Sequence, residues 1–104
     1  MASWITAAGE GELGPGQVKV VEAGEKRLAL CNVDGEYYCI DDVCTHDGGS
    51  LDQGEVFGDE IECPRHGARF DVKTGRALIL PAVLPVETYE TRVQGGQVQV
   101  QVDE

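Results

Sequence analysis

Cys44-Thr45-His46-Asp47-Gly48-Gly49-Ser50-Leu51 and Cys63-Pro64-Arg65-His66-Gly67-Ala68-Arg69-Phe70 decide how this chain reads. The sixteen residues 47–62 separate His46 from Cys63. Each segment pairs a cysteine with a histidine, as C-x-H and C-x-x-H, and each carries glycine, so the backbone can turn tightly around a bound object. The chain has only two histidines, and both fall in these pairs. The pattern points to a metal centre.

Two thiolates and two imidazoles can serve more than one metal. Tetrahedral Cys2His2 suits zinc, but structural zinc sites usually group cysteine with cysteine and histidine with histidine. Here each half is mixed. In a Rieske 2Fe-2S centre two cysteines hold one iron and two histidines the other, so each mixed loop can supply one ligand to each iron. A zinc-stabilised structural module stays open as an alternative, separable by colour and acid-labile sulfide.

The motifs C-T-H-x-G-G-x-L and C-P-x-H-G-x-x-F-D, with Pro81-Ala82 following, resemble those of Rieske-type ferredoxins, the small soluble electron carriers of aromatic-ring-hydroxylating dioxygenase systems. The resemblance covers essentially the whole chain. It implies that Cys44 and Cys63 bind the inner iron, that His46 and His66 bind the outer iron near the surface, and that Pro81 belongs to a third loop against the cluster.

Departures from the respiratory branch of the same family are informative. That branch carries an additional, disulfide-forming cysteine in each loop, where this chain has Gly49 and Arg65. It also uses a serine and a tyrosine to donate hydrogen bonds to cluster sulfurs, where this chain has Ala68 and Phe70. The resemblance is therefore to the low-potential branch, with an expected potential of roughly −150 mV.

At 104 residues the chain is the size of one domain. Its 14 glycines and 4 prolines, among many valines, point to short strands and turns. No apolar run is long enough for a membrane span, and Met1-Ala2-Ser3-Trp4-Ile5-Thr6 does not read as a secretion signal, so a cytoplasmic location is expected. Nineteen acidic against eight basic residues give a net charge of −11, which disfavours nucleic acid and anionic membrane as partners. A transient, salt-sensitive complex with a basic protein patch fits better. Arg65 and Arg69 flank His66, which would make the docking face locally mixed. Asp41, Asp42, Asp47 and Asp52 read as a solvated acidic face. With both histidines committed, no Ser/His/Asp set and no phosphate loop are present, so no catalytic residue is assigned.

Leu28 to Ile40 reads as a hairpin turning at Asp34-Gly35. In that register Val33 faces Glu36, Cys31 faces Tyr38 and Leu30 faces Cys39, so the thiols of Cys31 and Cys39 point to opposite sheet faces and cannot bridge. Further strands are expected at Trp4 to Ala7, Gln17 to Ala23, Glu60 to Glu62, Ala68 to Val72, Glu87 to Val93 and Gln97 to Val102. The last of these places Val98, Val100 and Val102 on the core side. Leu78 to Pro85 reads as a packed loop, and a single helical turn is expected near Ser50 to Gln53.

The architecture expected is all-β: an antiparallel β-sandwich of the Rieske type in one domain, 1–104. Its base would be 1–42 and 72–104, with 43–71 inserted as the cluster-binding part. The resemblance implies a monomeric one-electron carrier between a flavin-dependent ferredoxin reductase and a terminal oxygenase. Another acceptor, nitrite-reductase-like or in iron-sulfur assembly, is the alternative.

Overall fold

The computed structural model describes residues 2–24, 26–43, 51–52, 54–64, 67–79 and 84–103. Cys44, His46 and His66 lie outside these residues, as do Gly49, Arg65 and Pro81. The described part contains eleven strands and no helix: β1 (Ala2–Gly9), β2 (Val18–Ala23), β3 (Lys26–Val33), β4 (Glu36–Asp41), β5 (Val56–Phe57), β6 (Glu60–Glu62), β7 (Arg69–Asp71), β8 (Ala77–Ile79), β9 (Thr88–Tyr89), β10 (Thr91–Gln94) and β11 (Gln97–Asp103). No helix among the described residues is long and apolar enough to cross a membrane.

The organising element is the β3–β4 hairpin. Asp34 and Gly35 both have positive φ, 52° and 91°, as a two-residue type I′ turn requires. The pairing is the expected one, with Val33 opposite Glu36, Cys31 opposite Tyr38 and Leu30 opposite Cys39. Asn32 secures the turn: its Oδ1 accepts from Gly35 N at 2.8 Å and its Nδ2 donates to the Leu13 carbonyl at 2.7 Å. Both polar ends of this buried side chain are thereby satisfied.

Three antiparallel sheets stack around that hairpin, in the orders β1-β11-β10, β2-β3-β4-β9 and β5-β6-β7-β8. The middle sheet is covered on both faces, which explains why Leu28-Ala29-Leu30-Cys31 is a continuous apolar run where a half-exposed strand would alternate. Leu28, Leu30 and Cys39 face the first sheet and pack with Val98, Val100 and Val102 of β11. Ala29, Cys31, Val33 and Ile40 face the third sheet and pack with Ile61, Cys63, Ala68 and Phe70. The third sheet therefore shares its core with the sandwich. It also reaches Ile79, beyond the boundary expected at residue 71.

Two expectations are corrected. The strand read at Glu87 to Val93 breaks at Glu90: Thr88 and Tyr89 pair with Ile40 and Cys39 of the middle sheet, whereas Thr91 to Gln94 pair with β11 in the first. One segment thus crosses between sheets, and the Glu90 carbonyl still accepts from Gln101 N at 2.9 Å. The second correction is β8, since Ala77–Ile79 is a strand at the sheet edge where a loop was expected. An edge tolerates the nearby prolines because it needs partners on one side only. The turn expected at Ser50 to Gln53 falls partly outside the described residues, although Gly54 N donates to the Leu51 carbonyl at 2.9 Å.

Cys31 and Cys39 are buried, unbridged and in different cores. Burial pushes the Cys31 thiol up to about 12, and burial raises Cys39 as well. Thiolate is the reactive form, so neither should react with iodoacetamide near pH 8 in the native protein, and both should react in guanidinium. Modification of the Cys31 peptide under native conditions, detected by mass spectrometry, would contradict this packing.

Candidate metal centre

Of the four residues expected to bind the metal, the structure places Cys63. Strand β6 ends at Glu62, β7 begins at Arg69, and Glu62 pairs with Arg69, so Cys63 and Ala68 sit at the two ends of the connection in a short hairpin. Cys63 N donates to the Ala68 carbonyl at 2.6 Å, and Gly67 N donates to the Cys63 carbonyl at 3.1 Å. Gly67 has φ +75°, the left-handed conformation that closes such a loop without a Cβ penalty. The Cys63 side chain is buried and makes no disulfide. A buried thiol held on a short hydrogen-bonded loop suits thiolate ligation of a metal.

The described flanks of the two motif segments lie together. Glu62 N donates to the Glu55 carbonyl at 2.9 Å, just before Cys63. A side chain at Gly54 would collide with the Glu62 carbonyl, so only glycine permits this approach. Leu51, the last residue of the first motif, is fully buried in the same core as Cys63. Val86 is buried in that core too, and its N donates to the Gly75 carbonyl at 2.8 Å.

Of the four aspartates read as a solvated acidic face, Asp47 lies outside the described residues and Asp42 departs from the reading. Asp42 is buried rather than solvated, and burial pushes its carboxyl up, opposed by the hydrogen bond from Arg27. Its Oδ1 accepts from Leu51 N at 2.9 Å and Asp52 N at 2.7 Å, and its Oδ2 accepts from Arg27 Nε at 2.8 Å. Asp41 accepts from the Tyr89 hydroxyl at 2.6 Å. The only local signal for Asp42 was its place two residues before Cys44.

Arg69 also differs from expectation. Its Nε donates to Glu62 Oε2 at 2.9 Å, Glu60 lies 3.8 Å away, and the guanidinium stacks 4.5 Å from the Phe57 ring centroid. Arg69 is thus engaged by its own sheet, and Arg65, the other arginine expected at the docking face, lies outside the described residues.

The Rieske [2Fe-2S] domain profile matches residues 3–90. This chain belongs to the Rieske [2Fe-2S] domain family. It is 42% identical over 97 residues to the naphthalene 1,2-dioxygenase system ferredoxin component of Pseudomonas aeruginosa, covering 93% of each chain. Among solved structures, Sphingomonas yanoikuyae B1 ferredoxin superposes with a TM-score of 0.91 at 32% identity, covering 97% of this chain and 100% of that one. A chain in the complex of reduced oxygenase and oxidized ferredoxin of carbazole 1,9a-dioxygenase superposes with a TM-score of 0.90 at 36% identity, covering 93% and 91%. The Rieske family carries a Rieske-type 2Fe-2S cluster, and the zinc alternative is set aside.

Within a Rieske domain the identities at 68 and 70 gain meaning. Ala68 and Phe70 are fully buried in one core with Cys63, and neither has a hydroxyl. Ala68→Ser and Phe70→Tyr would introduce donors there. Cluster sulfurs carry more negative charge after reduction, so such bonds strengthen in that state, by roughly 1–2 kcal/mol each. At about 59 mV per tenfold for one electron, the potential should rise by roughly 40–90 mV per substitution. Voltammetry checks this, and no rise in variants whose structures show both new bonds would refute the reason given for expecting a low potential.

Proposed function

We propose that this protein is the ferredoxin component of an aromatic-ring dioxygenase-type system, carrying single electrons from a flavin-dependent reductase to a terminal oxygenase. The observation that carries the reading is the buried Cys63 on its hydrogen-bonded loop, in a chain whose relatives are named as ferredoxin components along nearly their full length. Cys44 and Cys63 would hold one iron and His46 and His66 the other. When bound, such a cluster supplies a one-electron couple and no open coordination position. The chain is then an electron carrier and not a catalyst.

The protein's own residues provide rigidity and charge. Leu51, Ile61, Cys63, Ala68 and Phe70 share a core with the middle sheet, a support that would keep the ligands fixed through a redox change in a cluster-binding part of about residues 43–71. Glu60 and Glu62 outweigh Arg69 on the adjoining sheet face. With a net charge of −11, this favours encounter with basic patches on reductase and oxygenase. The chain acts as a monomer in the cytoplasm.

Reconstitution tests the proposal. A flavin-dependent dioxygenase reductase with NADH should reduce the protein, which should then support turnover of a purified naphthalene- or biphenyl-type oxygenase. Both rates should fall as salt rises over about a tenfold range in ionic strength. Normal reduction without any oxygenase turnover would favour the other acceptor class, nitrite-reductase-like or in iron-sulfur assembly.

A further inference from the structure

We propose that Asp42 is a positioning residue for the cluster, acting as a clamp that closes the stem of the first ligand-bearing segment. The inference rests on the ligand reading above, in which that segment supplies Cys44 and His46. One carboxylate oxygen binds the backbone N–H groups of Leu51, nine residues on, and Asp52, ten residues on. A single buried side chain thereby ties Asp42 to Leu51 and Asp52, described residues on either side of the ligand-bearing stretch.

The clamp is itself anchored on the rigid side. Asp42 N donates to the Arg27 carbonyl at 2.9 Å, which extends the β3–β4 ladder by one step. Arg27 Nε donates to Oδ2 at 2.8 Å, and Arg27 Nη2 lies 3.9 Å from Asp52. The Asp42 side chain is 0% exposed whereas that of Arg27 is 53% exposed. The arginine therefore covers the carboxylate from the solvent side, and the two amides hold it from the interior. Hydrogen bonds to a buried acceptor, out of water, are stronger than their exposed equivalents. Leu51, drawn in by the clamp, is fully buried beside Ile61 and Cys63 in one core, so the same contact couples the stem of the first segment to the loop of the second.

The clamp needs an acceptor at Oδ1 and not a negative charge as such. Asp42→Asn keeps that oxygen, with Arg27 free to turn into solvent. Asp42→Glu keeps the charge but moves the acceptor by one methylene, and Asp42→Ala removes it. With the holoprotein we expect Asp42→Asn to lose its visible absorbance to a ferrous chelator within about threefold of the wild-type rate. Asp42→Glu and Asp42→Ala should lose it about tenfold or more faster, in line with the usual effect of changes around metal ligands. Amide exchange in a peptide spanning residues 51–56, followed by mass spectrometry, should accelerate in the same two variants only. The EPR spectrum of the reduced cluster should broaden in them, which a loss of global stability alone would not produce.

Wild-type release in Asp42→Glu, with fast release in Asp42→Asn, would overturn the clamp in favour of a charge effect. If Asp42→Ala does not fold, the Asn and Glu variants decide the matter as they stand. A wild-type protein without an imidazole-ligated cluster signal would instead overturn the ligand reading. A normal wild-type signal with all three variants unchanged would overturn the clamp alone.

Discussion

Cys63→Ala is expected to purify as a colourless, folded protein without iron or acid-labile sulfide, while Cys31→Ala and Cys39→Ala remain red-brown. The contrast is sharp because all three cysteines are buried, unbridged and surrounded by apolar side chains. General damage to the core would act on all three alike. Deleting a buried sulfur costs about 1 kcal/mol or somewhat more in packing at any of the positions, which the remaining sheets can bear. Only at Cys63 does it also remove a thiolate from the hydrogen-bonded loop between β6 and β7. Iron and sulfide analysis of the three variants, with circular dichroism to confirm folding, gives the result directly. Retention of about two irons per chain in Cys63→Ala would remove Cys63 from the ligand set. Loss of iron in Cys31→Ala would mean that the core shared by Cys31 and Cys63 is a participant rather than a support.

The second large effect is on potential. His46→Cys or His66→Cys, where a cluster is retained, should lower the midpoint potential by up to about 250 mV, from the low end of the Rieske range toward that of plant-type ferredoxins. The cause is charge: a thiolate in place of a neutral imidazole adds a negative charge beside the iron and penalises the more negative, reduced state. Film or solution voltammetry on each variant measures it. A cluster-bearing variant whose potential stays level or rises would contradict imidazole ligation at that position.

Much of this was legible before any coordinates. The Asp34-Gly35 turn fixed the hairpin and so put Cys31 and Cys39 on opposite faces, because a two-residue turn and a period of two leave no freedom. Strand β11 was legible for the same reason, its valines alternating without interruption. The metal motifs carried the family. What escaped was the part decided by distant neighbours. Thr88-Tyr89 and Thr91-Arg92 look alike locally, yet β4 claims one pair and β11 the other. Asp42 looked like its acidic neighbours because the amides that bury it belong to Leu51 and Asp52, brought back by the chain's return. Arg69 looked available for docking because its partners Glu60 and Glu62 lie on the paired strand, across the hairpin.

The measurement that tests the central claim most directly is pulsed EPR on the reduced protein. The chain contains only two histidines, so mixed ligation predicts strong couplings from two directly bonded imidazole nitrogens in the wild type, and from one in a cluster-bearing His46→Cys or His66→Cys variant. A 2Fe-2S signal in the wild type without any strong nitrogen coupling would show an all-cysteine cluster and contradict the account.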